Sequence, residues 1–420
     1  MADKIAPPKL SSALTYGPTS VDWQERINFE RLRSQRAERM KFIMRKHNIP
    51  SLLVTDSSDI RYLVGLKGPE FASAVWYVLF FAELEPVVFA HAGYITQYTQ
   101  ECPWISQWRL ARSSLGGICG QEATVKEVEK FASSIVDEIS ARGLKKEPIA
   151  VSGFDGAAQN ALRAKGLNVC SGSPLMMEAA ARKTEDEIRC IKLAVAIAET
   201  MWYRVLENLR PGVREDDLCR LGIDAAYQAG ADSAFLGFRS GPLTFERGMR
   251  NTSRIIQAGE LLYGNLCRTS YMGYRTCMYR TFLVGRQPTR KETDWYKRLL
   301  ERIDTVMDAI RPGATTADAA QHFSPASSWG YEDEAYVLSI EIGHGVGLRQ
   351  YEMPVINRQW SLEYPQVFEP GMIIAIESRE GEAGQGGVRL EDMVVVTEQG
   401  AEMLDRFPRD RILAAMIDWP

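Results

Sequence analysis

Histidine is scarce in this chain. Four in 420 residues leave little room for the His-rich ligand sets of many metal enzymes. The seven cysteines, at 102, 119, 170, 190, 219, 267 and 277, are odd in number and scattered. None stands in a Cys-x-x-Cys pair, which excludes a zinc ribbon and argues against a disulfide framework. That usage predicts reduced thiols in a cytoplasmic protein. Long apolar runs are missing as well. The most hydrophobic stretch, Ala74-Val-Trp-Tyr-Val-Leu-Phe-Phe-Ala82, is too short to span a bilayer and reads as a buried strand. The N-terminus lacks a basic-then-apolar signal pattern. Lysine and arginine (50) nearly balance aspartate and glutamate (54), for a net charge of −4. Neither sign gathers into a stripe or a tail, so neither nucleic acid nor a membrane surface is an expected partner.

What is present is an ordinary globular composition, 45% hydrophobic and 25% charged, long enough for two domains with cores of their own. Residues 1–22 are polar and Pro-rich and read as an arm. Residues 23–47 have helical spacing, Ser51-Leu-Leu-Val-Thr55 a strand, and strand-like runs recur at 74–82, 85–90 and 148–152, with a helical pattern over 124–142. This alternation predicts an α/β first domain over 23–172. Turn residues at Ser171-Gly-Ser-Pro174 mark the expected boundary, and 173–420 forms the second domain. Its first helix opens on Thr184-Glu-Asp-Glu187, a capping box.

The second domain repeats itself. Leu209-Arg-Pro-Gly-Val-Arg-Glu-Asp-Asp217 and Ile310-Arg-Pro-Gly-Ala-Thr-Thr-Ala-Asp318 both read as a helix exit, an Arg-Pro-Gly turn and a second, capped helix. Five blocks follow the first of these turns: Gly259-Glu-Leu-Leu-Tyr-Gly-Asn-Leu-Cys267, Gly273-Tyr-Arg-Thr-Cys-Met-Tyr-Arg-Thr-Phe282, Gly343-His-Gly-Val-Gly347, Pro370-Gly-Met-Ile-Ile-Ala-Ile-Glu377 and Val388-Arg-Leu-Glu-Asp392. In this order they resemble the pita-bread clan of methionine aminopeptidases, prolidases and creatinase. The resemblance covers roughly 180–405 well and 23–170 more weakly. It implies a creatinase-like N-terminal α/β domain and a C-terminal pita-bread α+β domain with a pseudo-two-fold internal repeat, in a homodimer.

The departures bear on chemistry. Metal-binding members carry an Asp six residues after the first Gly and another four after the Gly of Gly-Tyr. Here those positions are Asn265 and Cys277. Asparagine is a weak neutral ligand, and cysteine selects soft metals over magnesium or manganese. A two-metal site needs several carboxylates to neutralise and bridge its ions, so the resemblance implies no metal. If one is present, it is a single zinc or iron on Cys277, His344, Glu377 and Glu391. Creatinase, which works without metal, also has Asn at the first position. The place of its catalytic His is taken here by Gly248, and that of its substrate-binding Glu by Tyr279. Peptidases of the clan carry His-Glu-x-Pro where this chain has Tyr351-Glu-Met-Pro354. Ser240-Gly-Pro-Leu-Thr244 and the Arg-Leu-Glu-Asp block also resemble the dimethylsulfoniopropionate lyases of this fold.

These readings single out His344, Glu377, Glu391 and Cys277 as catalytic. His344 serves as general acid or base. The two glutamates, crowded together, repel, so that one of them holds a proton. Cys277 is a nucleophile only if His344 lies near it. Asn265, Arg250, Tyr279, Tyr351 and Arg389 are the expected substrate contacts. Arg239, Arg247, Arg268 and Arg275 cluster on the same strands as Arg250, where one or two can clamp a carboxylate. Trp76 and Tyr77 are either core or, as the resemblance to creatinase-like dimers implies, reach the site from the partner subunit. The expected activity is metal-independent hydrolysis of a C–N bond of amide, urea or amidine type, in a small polar substrate bearing a carboxylate. The alternatives are a lyase, metal-free or mononuclear, and a non-catalytic pita-bread binding module.

Overall fold

The computed structural model describes residues 27–68, 75–113, 115–248, 251–338 and 340–417. The expected arm at 1–22 and Arg250 lie outside them. Two compact units emerge, Phe29–Thr184 and, among the described residues, 27–28 together with 185–417. Among the described residues no helix is long and apolar enough to cross a membrane.

The first unit is built on strands β1 (Ser51–Val54), β2 (Tyr77–Phe81), β3 (Val87–Ala90), β4 (Trp108–Leu110), β5 (Pro148–Ser152) and β6 (Asn168–Ser171). They form one sheet in the order β4-β3-β2-β1-β5-β6. β1 pairs antiparallel with β2 and parallel with β5, so the sheet is mixed. β1, β2 and β3 are buried at every position, which is why their sequences run apolar without alternating. Leu53, Leu79 and Phe81 meet Phe131 and Ile135 of the helix Gln121–Ala141, and Leu162 of Gly156–Ala164. Tyr77 belongs to this core, with its hydroxyl accepting from the Arg112 amide (2.8 Å). Trp76 packs against Tyr94 and Tyr98. Both aromatics are core residues of this unit.

The Ser-Gly-Ser-Pro turn does not end the unit. It starts a further helix, Ser173–Ala181, with Pro174 in the first turn, where a missing N–H is harmless. The Tyr62 hydroxyl donates to the Ala179 carbonyl (2.7 Å), and the unit closes at Thr184. The boundary expected at 172/173 therefore moves by one helix.

The second unit opens on the helix Glu185–Asn208. Its strands are β7 (Gly237–Ser240), β8 (Leu261–Asn265), β9 (Ser270–Tyr271), β10 (Tyr274–Arg275), β11 (Tyr279–Val284), β12 (Ile342–Gly345), β13 (Glu352–Ile356), β14 (Ile373–Glu382), β15 (Gly386–Thr397), β16 (Gly400–Met403) and β17 (Leu413–Ala415). The main sheet runs β13-β12-β14-β15-β11-β8-β7, with β16 on β15 and β17 on β11, while β9 and β10 form a separate hairpin. Trp202, wholly buried, closes one face. An added Cβ on Gly264 of β8 would lie 2.6 Å from its ring, so only glycine allows this approach.

The expected repeat is present in the backbone itself. After the first Arg-Pro-Gly turn, the Gly212 amide donates to Ile256 O (2.9 Å) and the Ile256 amide to Val213 O (2.9 Å). After the second, the Gly313 amide donates to Phe368 O (3.1 Å) and the Phe368 amide to Ala314 O (2.8 Å). Gly259 and Gly371 then enter equivalent strands, their amides donating to Val284 O (2.7 Å) and Val396 O (2.8 Å). Both glycines have positive φ, +80° and +92°, which an L side chain resists. Thus β7, β8 and β11 recur as β12, β14 and β15. Asn265 and Glu377 stand six residues after equivalent glycines.

Candidate active site

Strand register assembles the site. β14 and β15 set Glu377 opposite Glu391 and Arg379 opposite Arg389. β11 continues the glutamate row with Tyr279 opposite Glu391, and β8 ends it with Asn265 opposite Tyr279. Paired residues share a face, as do residues two apart on one strand. One row along, His344 of β12 faces Ala375, and Ala375 faces Met393. The Cys277 amide donates to Met393 Sδ (3.3 Å). The sequence blocks, far apart in the chain, thus become three adjacent rows on one face of one sheet.

His344 is fully buried. Its Nδ1 lies 3.1 Å from Gly345 O, an acceptor that assigns the proton to Nδ1. Nε2 then faces Glu391 Oε1 at 3.6 Å with no hydrogen-bond partner. The imidazole packs on Tyr351, ring centroids 4.4 Å apart. Glu391 Oε1 and Glu377 Oε2 are likewise buried and unpartnered. Burial, and then the charge of Glu391, push the Glu377 carboxyl up to about 7, against the pull of Arg247 and Arg389. Arg247 Nη1 stands 3.7 Å from Glu377 Oε1. Burial works against the Arg247 charge, but Glu377 and the tyrosines 279 and 351 outweigh it. Arg247 also hydrogen-bonds Tyr351, whose phenol is pushed up to about 12 by burial and by Glu377. Tyr351 is 48% exposed and forms the solvent side of this group.

The other expected residues divide. Asn265 is committed at both ends: Nδ2 donates to the Tyr279 hydroxyl (2.8 Å) and Oδ1 accepts from the Cys267 amide (3.1 Å). It serves as scaffold, and Tyr279 is its buried partner. Burial, then Glu377, raise the Tyr279 phenol well above its ordinary range. Cys277 Sγ lies 2.7 Å from Cys267 Sγ, not against His344. Burial, then Cys267, push the Cys277 thiol well up, and burial pushes Cys267 up to about 11. A nucleophilic thiolate needs the opposite environment, which argues against the expected nucleophilic role of Cys277. Arg389 is buried in the row beyond Glu391, with its guanidinium over the rings of Tyr263 (5.2 Å) and Tyr279 (5.8 Å). Of the clustered arginines, Arg247 reaches the site. Arg268 is exposed over Phe235 (4.7 Å). Arg275 sits in β10, and Arg239 pairs in register with Tyr263. Sequence reasoning does not find two neighbours of the site. Cys267 stands at the end of the first block with no role assigned to it, and Arg379 carries no motif of its own, although its place two residues after Glu377 puts it on the same strand face.

These donors do not fit two hard divalent ions. Among the described residues two carboxylates, Glu377 and Glu391, stand at the centre, one already faces a guanidinium, and Asn265 is occupied. A single soft ion is another matter. Cys267, Cys277 and Glu391 place one ligand atom each within 4.8 Å of one another, and two thiolates with a carboxylate suit zinc or iron.

The comparisons with known proteins agree with this architecture. The model of metallopeptidase family M24 matches residues 189–398. A Pyrococcus furiosus Xaa-Pro dipeptidase is 30% identical over 54% of this chain and 64% of its own length. A creatinase from a Bacillus species is 29% identical over 54% of this chain and 57% of its own length. The matched stretch thus spans less than two thirds of either relative. The solved Xaa-Pro dipeptidase of Bacillus anthracis superposes with a TM-score of 0.73 at 21% identity, covering 91% of this chain and 99% of that one, a likeness of fold. With half of its length matched, all of it in the unit that carries the repeated sheet and the site, the chain belongs to metallopeptidase family M24.

Proposed function

We propose that this member of the family is a non-peptidase hydrolase of a small polar C–N substrate, working through acid–base chemistry rather than through a pair of metal ions. One observation carries the reading. His344 Nε2, Glu391 Oε1 and Glu377 Oε2 are all buried without a partner; the first two lie 3.6 Å apart, and Glu377 stands directly opposite Glu391. Leaving such atoms unmade costs about 1–3 kcal/mol each, a cost that a reacting substrate and water relieve. Arg247 stands beside Glu377, so a fixed guanidinium provides there the positive charge that a cation provides in a metal site.

In this scheme Glu391, with His344 beside it, takes a proton from water as the water oxygen bonds to the acyl or amidine carbon. Glu377, protonated below about 7, gives its proton to the leaving nitrogen as the C–N bond breaks. The C–N electron pair departs with the amine, and the proton taken by Glu391 returns the pair to its starting state. Arg247 and the Tyr351 hydroxyl lie where they can stabilise negative charge on the tetrahedral carbon's oxygen. Turnover on a panel of small amides, ureas and amidines tests this. His344→Ala is expected to lower it at least about ten-fold with the fold intact; unchanged turnover rules the role out.

A second reading has its own observation, the Cys267–Cys277–Glu391 cluster. There these three side chains, with His344 adjacent, hold one thiophilic ion in a mononuclear hydrolase or lyase. Such an ion would supply Lewis-acid activation of a water or of the substrate.

A further inference from the structure

Arg379 and Arg389 are a cross-strand pair, set directly opposite each other and buried to 5% and 1% exposure. Like charges so placed destabilise a sheet, and a buried charge without a direct counter-ion is costly. Partial offsets act from a distance, Glu377 on Arg389 and Glu246 on Arg379. Among the described residues neither guanidinium forms an ion pair, and Nε, Nη1 and Nη2 of Arg389 all lack a hydrogen-bond partner, as does Nε of Arg379. Arg379 gives one hydrogen bond, from Nη1 to the Phe245 carbonyl (2.7 Å). Burial, then Arg389, lower its pKa to about 10. The faces of the two groups are covered, Arg389 by Tyr263 and Tyr279, Arg379 by Phe245 (4.2 Å) and Trp329 (5.3 Å). Their edges, which carry the N–H donors, are what is left to bind. The cover at Phe245 is one short turn, Gly241–Phe245, and the next residue, Glu246, is exposed.

We propose that Arg379 and Arg389 form the subsite for a carboxylate carried by the substrate. Two guanidiniums offer planar, two-pronged donor sets that match the two oxygens of a carboxylate. The carboxylate also brings a negative charge into direct contact, which neither guanidinium has among the described residues. Strand geometry fixes the relation to the chemistry. Arg379 and Arg389 each stand two residues from Glu377 and Glu391, hence roughly 6–7 Å along the strand. A substrate anchored here presents a bond a few atoms from its carboxylate to the acid–base pair, which selects N-acyl or N-carbamoyl amino acids and similar compounds over long peptides. This inference rests on the hydrolase reading for the identity of the bond, but not for the binding of the anion.

The test uses acetate and N-acetylglycine as probes, with acetamide and N-acetylglycinamide as neutral partners of matching size, in thermal melts and titration calorimetry of the full chain. The two carboxylates are expected to raise the Tm and to bind, and the neutral partners to do neither. Arg389→Met is expected to abolish the response and, with no probe present, to melt no lower than wild type, because it removes an unpaired buried charge. Should that variant fail to fold, the charged and neutral probes on wild type, together with Arg379→Met, decide the same question. His344→Ala is expected to keep the anion response, so loss of turnover with binding retained separates failure of the chemistry from failure of the subsite. Equal responses to charged and neutral probes, no response at all, or a full response in both arginine variants would overturn the assignment.

Discussion

Glu377 is the residue whose ionisation the fold has altered most usefully. Its folded value, about 7, lies above the ordinary value of 4.5. The folded state therefore holds the proton more tightly than the unfolded chain between these limits. Stability contributed this way is present below about 4.5 and is lost as pH rises through about 7. Glu377→Gln removes the titration. In urea unfolding the variant is expected to match wild type near pH 5 and to gain about 1–3 kcal/mol relative to it near pH 8. Asp405 is also pushed up, to about 6, by burial, but it is common to both proteins and cancels in the difference. A difference that does not change with pH would mean that Glu377 is not the buried acid. The identities of His344, Glu377 and Glu391 were legible in the sequence because short glycine-bounded blocks carry them. The partners that decide their chemistry were not. Arg247 comes from a segment whose approach to Glu377 no spacing reveals, and the idle state of Arg379 and Arg389 is a property of burial.

At the scale of elements, the repeated turn–strand–strand unit explains both what was readable and what was not. The two Arg-Pro-Gly turns were visible because proline and glycine punctuate a chain in fixed ways. The strand pairings that follow them were not, because register is set by partners far away in sequence. Once paired, the pseudo-symmetry matches Asn265 with Glu377 and Tyr279 with Glu391, and it matches Cys267 and Cys277 with Arg379 and Arg389. One half of the sheet carries carboxylates and guanidiniums at these places, and the other an amide, a phenol and two thiols. The neutral half acts as a support, and its packing is tight. Gly264→Ala, whose added Cβ would meet Trp202 at 2.6 Å and Phe238 at 2.9 Å, is expected to destabilise the protein by about 1–3 kcal/mol in chemical denaturation. A neutral result would show that the helix Glu185–Asn208 can withdraw from the sheet without loss. The same physics explains the shifted domain boundary: Ser-Gly-Ser-Pro signals a turn, but a turn is also how a helix begins.

At the scale of the molecule, this chain has the two-unit architecture of its family, and its centre carries charges of both signs. Glu377, set opposite Glu391, faces Arg247, His344 lies beside Glu391, and Arg379 and Arg389 stand in the next row. Two divalent ions brought into that setting would meet too few anions and at least one fixed cation. The measurement that tests this most directly is elemental mass spectrometry of the purified, untagged protein before and after a chelator, read together with its thermal melt. The expected result is metal far below one ion per chain and a Tm that chelation leaves in place. One or two ions per chain, with a Tm that falls when they are removed, would contradict the metal-independent account.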